Sequence, residues 1–184
     1  TNKWMSHADT ADLSGSGDFT VAAWVNFGGL GNDEAIVAKW FDTGNNREFL
    51  LAFNHSALGT ADRIFLGLSG DGAANTFVFA TTFGAISTGT WYYVVGWYDS
   101  TNSLMGISVN DVSNTGAYSS GVFNGTAEFD VGAFENGTAW FLNGTIDEVG
   151  FWKRTLTSGE RTSLYNSGAG LAYSSFGGGG GSSV

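Results

Sequence analysis

Two parts of the sequence combine an aromatic residue with amide and carboxylate side chains, a set of groups suited to binding sugars. An exposed aromatic ring can stack on one face of a pyranose. Neighbouring amides and carboxylates can hydrogen-bond the hydroxyl groups of the same sugar. One set follows a predicted strand and the other is spread over two later loops. The candidate ligand-binding residues are Trp40, Asn45, Asn46, Asp71, Asn75 and Trp140.

Residues for metal-dependent or nucleophilic catalysis are scarce. The only histidines are His7 and His55, far apart in the sequence, and the chain has no cysteine. A zinc site needs Cys or His ligands, and a serine triad needs a histidine base. We interpret both histidines as ordinary strand or loop residues.

The charge balance excludes one class of partner. The net charge is −10, from 17 acidic and 7 basic residues. Nucleic-acid binding needs clustered Lys and Arg to displace counterions, so a nucleic-acid partner is not expected. No run of 18 apolar residues occurs, so we predict no membrane insertion.

Short β-type runs separated by turn signals fill most of the chain. In the run 19–27, Phe19, Val21, Ala23, Val25 and Phe27 alternate with other residues, which places them on one face of a strand. Asn-Gly and Gly-rich pairs between the runs predict hairpins. The other predicted strands cover residues 3–7, 35–40, 48–53, 64–68, 76–81, 91–98, 104–109, 129–134 and 145–153.

One helix is predicted near the C-terminus. Thr157 and Glu160 have the spacing of a capping box, Leu164 and Tyr165 can pack inward, and Gly168 can close the helix. We therefore predict an all-β fold with one short helix near the C-terminus, in a domain covering residues 1–171. Residues 172–184 form a Gly/Ser-rich tail, whose ordering would need a partner such as a neighbouring subunit.

Three segments together resemble laminin-G-like domains of the concanavalin A-like lectin/glucanase superfamily. The first segment joins residues 6–13 to the strand 18–25, and the second is Gly-Thr-Trp-Tyr-Tyr at 89–93 with its continuation to Asp99. The third and most specific is Ile-Asp-Glu-Val at 146–149, followed by an aromatic pair and the capped helix. The resemblance implies a two-sheet antiparallel jelly-roll sandwich, with Trp24 and Trp91 in its core.

The resemblance also implies a structural calcium ion in many members. An acid on the last strand joins N-terminal groups around that ion, and here Asp147 matches the acid, with Asp9 or Asp12 as its N-terminal partner. Calcium takes six to eight oxygen ligands, which suits carboxylates. The alternative is that Asp147 accepts hydrogen bonds from backbone amides of a neighbouring loop.

Glycosidases of this superfamily carry Glu-x-Asp-x-x-Glu on one strand, and the chain departs from that pattern. Glu128 and Asp130 match the first two acids, but Ala133 stands in place of the third. Without the third acid, the pair of carboxylates needed for hydrolysis is incomplete. We therefore expect no catalytic residues and no enzymatic activity.

The function expected from this resemblance is a non-catalytic, surface-displayed module that recognises carbohydrate or another cell-surface ligand. The alternative is a structural or decoration subunit of a phage virion or other surface assembly, in which neighbouring subunits contact the tail. Both hypotheses place the protein outside the cell or on a virion surface.

Overall fold

Two antiparallel sheets packed face to face form the body of the protein. The computed structural model describes residues 3–58 and 60–171. The predicted tail at 172–184 lies outside these residues. The strands are β1 Met5–His7, β2 Phe19–Phe27, β3 Glu34–Phe41, β4 Asn46–His55, β5 Thr60–Leu68, β6 Thr76–Phe79, β7 Trp91–Asp99, β8 Leu104–Val109, β9 Val112–Ala117, β10 Phe129–Val131 and β11 Gly144–Trp152.

The strand order confirms the predicted sandwich. One sheet has six strands in the order β1-β10-β3-β4-β5-β6, and the other has five in the order β11-β2-β7-β8-β9. The helix α1 spans Ser158–Tyr165, and three-residue 3-10 helices lie at Ala11–Leu13, Ser56–Leu58 and Asn166–Gly168. In the described part of the chain, no helix is long and apolar enough to cross a membrane.

The main core lies between the sheets and confirms the alternation predicted for β2. All five of its alternating residues, from Phe19 to Phe27, are fully buried in this core. Ile146, Val149 and Phe151 of β11 pack against the same core while remaining half-buried. Burying these apolar side chains between the sheets is the main favourable contribution to folding.

A second cluster lies on the outer face of the five-stranded sheet, beneath α1. Ala22 and Trp24 of β2 pack there with Tyr93 of β7 and with Leu164 of the helix. The predicted capping box is present: the Thr157 hydroxyl accepts a hydrogen bond from the Glu160 amide, and the Glu160 carboxylate accepts one from the Thr157 amide. Because β2 is covered on both faces, all of its residues except Asn26 are buried.

Two local predictions were wrong, and one strand was missed. Trp91 was expected in the core, but 41% of its surface is exposed, because it is the first residue of β7 and lies at the end of the sheet. The helix is closed by Asn166 in the left-handed conformation, and Gly168 ends the following 3-10 turn. The strand β9 was missed because its sequence is polar; a tight turn with positive φ at Asn110 and Asp111 folds it back onto β8.

Candidate ligand-binding cleft

A surface cleft of about 220 Å³ lies on the outer face of the five-stranded sheet, beside the end of α1. Its floor and walls come from four separate parts of the chain, which are β2, β7, the last strand β11 and the turn after the helix. The described residues that line it are Trp24, Trp91, Asp147, Glu148, Gly168, Ala169 and Gly170. We call this the Trp91 cleft.

Strand register brings the side chains of the cleft together. Trp24 of β2 is paired with Asp147 of β11 on one side and with Tyr93 of β7 on the other. Side chains two residues apart on a strand share a face, so Trp91 lies on the same outer face as Tyr93. Trp91 and Asp147 therefore lie on either side of Trp24, although they are far apart in sequence.

A β-bulge in β11 places Glu148 next to Asp147. The pairing of β11 with β2 shifts between Asp147 and Gly150, and Glu148 has a φ of 48°. The left-handed conformation is unfavourable for a residue with a Cβ, and such residues cluster at functional sites. The bulge allows both carboxylates to remain exposed while Ile146 and Val149 face the core.

The turn after α1 forms the remaining wall and is held by its own hydrogen bonds. The Asn166 side-chain amide donates to the Gly170 carbonyl at 2.7 Å, and the Gly170 amide donates to the Tyr165 carbonyl. Tyr165 stacks against the Trp24 ring, with centroids 6.1 Å apart. Gly170 has a φ of 69°, which favours glycine, and a Cβ there would contact Glu148 Oε2 and Trp24 Nε1, both at 3.4 Å.

Exposed stacking surface and hydrogen-bond acceptors thus meet in one place. The Trp91 ring offers an apolar face to a ligand, and the ionised carboxylates of Asp147 and Glu148 accept hydrogen bonds only. Glu148 also acts on the cluster below: burial, reinforced by the negative charge of Glu148, raises the pKa of the Tyr93 hydroxyl. The cleft is suited to a small polyhydroxylated ligand.

Most of the candidate residues predicted from the sequence lie together at another place, at one end of the six-stranded sheet. Asn45 lies in the turn between β3 and β4, and its carbonyl is packed against Gly72 in the loop that holds Asp71. Arg47 donates to the Ala73 carbonyl and joins the same loop to β4. Asn75 is exposed beside this loop.

The polar groups at this end of the sheet are already engaged within the protein. Trp40 is only 3% exposed, its ring lies under Arg47, and its Nε1 donates to Asp42. Asn46 both accepts from and donates to Thr126. Asp71 accepts from the Ala73 and Ala74 amides, which lower the pKa of its carboxyl.

Trp140 lies away from these residues. Its carbonyl accepts from the Ala35 amide at the start of β3, whereas Trp40 lies near the end of that strand. Its ring stacks on Phe134, with centroids 4.8 Å apart, over the outer face of the six-stranded sheet. The predicted set spread over two later loops is therefore divided, with Asp71 and Asn75 near one end of β3 and Trp140 near the other.

The three carboxylates predicted to bind calcium do not form one site. Among the described residues, no group of three or more acidic or histidine side chains could hold a metal ion. Asp9 instead contacts the Lys39 ammonium group at 2.8 Å, Asp12 is exposed in a 3-10 helix, and Asp147 lines the Trp91 cleft. Among the described residues, Asp147 accepts a hydrogen bond from the amide of its neighbour Glu148. The three predicted ligands are thus engaged separately, and a structural calcium ion stays a prediction.

The glycosidase-like acids are not presented together to a substrate. Asp130 is 1% exposed; its Oδ2 accepts from the Gly137 amide and burial raises the pKa of its carboxyl. Glu128 is only half-buried and accepts a hydrogen bond from the Ser6 hydroxyl. The third position of the glycosidase pattern holds the apolar Ala133, which cannot supply an acid.

The residues of the Trp91 cleft left a weak signal in the sequence. Ile146 and Val149 are apolar but three positions apart, and a regular strand cannot place such residues on one face. A bulge between them would have been the natural inference, and it would have moved Glu148 outward. Exposure of Trp91 had no comparable local signal.

Known families and structures match this fold. A family model described as the concanavalin A-like lectin/glucanases superfamily matches residues 1–160. No curated protein sequence matches the chain significantly.

Three solved structures illustrate the similarity. The CBM40 of the Ruminococcus gnavus IT-sialidase, bound to α2,3-sialyllactose, is 14% identical, with a TM-score of 0.67 over 89% of this chain and 95% of that one. Domain 4 of an extracellular GH43 arabinanase from Geobacillus stearothermophilus, in complex with arabinotriose, is 19% identical, with a TM-score of 0.60. The match covers 86% of this chain and 71% of that domain. A candidate carbohydrate-binding protein from Bacteroides ovatus is 18% identical, with a TM-score of 0.64 over 86% of this chain but only 43% of its own length. At these identities the likeness shows the fold alone.

Proposed function

Because the chain belongs to the concanavalin A-like lectin/glucanases superfamily, we propose that it is a non-catalytic carbohydrate-binding module whose ligand occupies the Trp91 cleft. The observation that carries this proposal is the exposed Trp91 ring beside the carboxylates of Asp147 and Glu148. Fold alone does not determine function, whereas the chemistry of this site favours a sugar ligand.

The cleft has the size and composition expected for one sugar residue or the end of a glycan chain. Its volume of about 220 Å³ is smaller than the roughly 300–1,000 Å³ of pockets that enclose drug-sized ligands. A ring stacked on Trp91 would present its hydroxyl groups to the two carboxylates. Hydrogen bonds to a charged acceptor are stronger than those between neutral groups.

The similar structures support the ligand class. The Ruminococcus gnavus domain was solved with a sialylated lactose and the arabinanase domain with arabinotriose. Both are glycan ligands held by the fold that this chain shares. Glycans of this kind are found outside cells, so we place the module in an extracellular setting.

The proposal treats the domain as a binding module without catalysis because its candidate acids are not arranged for hydrolysis. Asp130 is buried, and Asp147 and Glu148 are adjacent residues on one wall of the cleft. Two carboxylates that hydrolyse a glycosidic bond must flank it from opposite sides. The virion-subunit alternative depended on the tail at 172–184, and none of the described residues supports it.

The test compares two exposed tryptophans. Trp91→Ala should weaken binding of a glycan identified on a glycan array by at least about tenfold, because it removes the stacking surface. Trp4→Ala is the matched control, since Trp4 is 44% exposed but lies in a different groove, between β1 and β11. Isothermal titration calorimetry measures both affinities, and circular dichroism checks that both variants are folded.

Two outcomes would contradict the proposal. If the wild-type protein binds no sugar class on the array, the carbohydrate-binding function is wrong. If Trp4→Ala abolishes glycan binding and Trp91→Ala does not, the ligand site lies in the groove near β1 and not in the Trp91 cleft.

A further inference from the structure

We infer that the Trp91 cleft binds uncharged sugars and excludes sugars that carry a carboxylate, an inference that rests on the function proposed above. The charged side chains lining the cleft are both acidic, Asp147 and Glu148. The described lining residues include no Lys, Arg or His. The cleft therefore has no cationic partner for an acidic sugar.

Within the part of the chain that the structure describes, neither carboxylate forms an ion pair. The ion pairs found among the described residues involve Asp9, Asp42, Glu48 and Glu160, and none of them includes Asp147 or Glu148. Within the described structure, the only hydrogen bond to either carboxylate is the one that Asp147 accepts from the Glu148 amide. Their remaining acceptor positions point to a ligand that donates hydrogen bonds.

Hydrogen-bond chemistry makes the discrimination specific. A neutral sugar carries hydroxyl groups that can donate to both carboxylates. A sugar carboxylate is itself an acceptor without a proton to donate, so two acceptors would face each other. One donor in the cleft wall is Trp24 Nε1, and both this atom and Glu148 Oε2 lie beside Gly170.

Electrostatic repulsion acts in the same direction. Like charges a few ångströms apart at a protein surface repel strongly enough to change affinity by tenfold or more. The net charge of −10 adds a long-range contribution of the same sign. Since these charges are exposed, added salt should screen the repulsion and reduce the discrimination.

One structural relative was solved with an acidic glycan. The Ruminococcus gnavus domain was bound to sialyllactose, whose sialic acid carries a carboxylate. The two chains share the fold at 14% identity, which leaves the lining of each site free to differ. We therefore expect the Trp91 cleft to reject sialyllactose.

The experiment uses an array of neutral oligosaccharides alongside counterparts that end in a uronic acid or a sialic acid. Calorimetry then measures the best neutral ligand and its acidic counterpart at low and high salt. We expect the neutral ligand to bind at least about tenfold more tightly at low salt. The double variant Asp147→Asn/Glu148→Gln keeps the side-chain shapes. It should bring the ratio of the affinities for the neutral and the acidic ligand close to one.

Asp12→Asn is the matched control, because it removes an exposed carboxylate outside the cleft. It should leave the neutral-to-acidic ratio unchanged, so a change in that ratio would show that overall charge, and not the cleft, sets the selectivity. Acidic glycans binding as tightly as neutral ones in a Trp91-dependent manner would overturn this inference alone. Absence of binding to every glycan would overturn it together with the proposed function.

Discussion

The Lys39 ammonium group lies 2.7 Å from Glu48 Oε1, and both side chains are completely buried. Lys39 also contacts Asp9 and donates to the carbonyls of Gly125 and Ala127. Glu48 in turn accepts from the amides of Gly15 and Gly125. This internal ion pair joins two connections, β1–β2 and β9–β10, to the six-stranded sheet, and its ammonium group takes the carboxylate and carbonyl contacts that a cation would take.

Lys39→Met should destabilise the protein strongly because it leaves Glu48 charged, buried and unpaired. Removing one partner of a buried ion pair costs roughly 3–5 kcal/mol in the free energy of unfolding. Urea denaturation measures this change. The control is Arg154→Met, which breaks the exposed Arg154–Glu160 pair and should cost about 1 kcal/mol or less.

Two results would change how the Lys39→Met variant is understood. A loss of less than about 1 kcal/mol in the free energy of unfolding would show that the Lys39–Glu48 pair contributes little to stability. The double variant Lys39→Met/Glu48→Gln should recover part of the loss, because it no longer buries an uncompensated charge.

A second buried carboxyl should make stability depend on pH. Glu34 is buried; its Oε2 accepts from the Asn143 amide at 2.9 Å, while its Oε1 has no partner within the described structure. Burial raises the pKa of Glu34 to about 7, against the partial lowering by that hydrogen bond. The folded state therefore retains a proton that the unfolded state loses above its ordinary pKa of 4.5.

The contribution of Glu34 to the free energy of unfolding is fully present below pH 4.5. It decreases as the pH rises from 4.5 towards the folded-state pKa of about 7. Glu34→Gln removes this titration, so the variant should gain stability relative to the wild type as the pH increases. Between low and high pH, the free energy of unfolding of the variant relative to the wild type should change by on the order of a few kcal/mol. Urea unfolding of both proteins at pH 4.5 and pH 8 measures it, and an equal difference at the two values would contradict the prediction.

Glu148 should show a conflict between stability and binding. Its backbone is in the left-handed region, which glycine adopts without a steric penalty. Glu148→Gly should therefore raise the free energy of unfolding by up to about 1 kcal/mol while weakening glycan binding. Thermal unfolding measures the first effect and calorimetry the second.

Thr145→Gly is the control for that substitution, since Thr145 is an exposed residue of the same strand without positive φ. It should destabilise the protein by roughly 0.5–1 kcal/mol and leave binding unchanged. If Glu148→Gly were as destabilising as the control, the strained backbone would not be relieved by glycine.

The sequence alone was enough to predict the sandwich, most of its strands and the capped helix. Alternation in Phe19–Phe27 and the Thr157–Glu160 spacing depend on neighbouring residues, so they can be recognised without knowing the tertiary structure. The polar strand β9 was missed because pairing with β8, and not its own composition, keeps it extended.

Only the tertiary structure decided which side chains reach the surface together. Trp91 and Glu148 lie close together because β7 and β11 both flank this end of β2, whereas Asp9 contacts Lys39 of the six-stranded sheet. Trp40 looked like a stacking residue, but Arg47 covers its ring. Exposure and pairing depend on the register of strands distant in the chain, which a local sequence pattern does not contain.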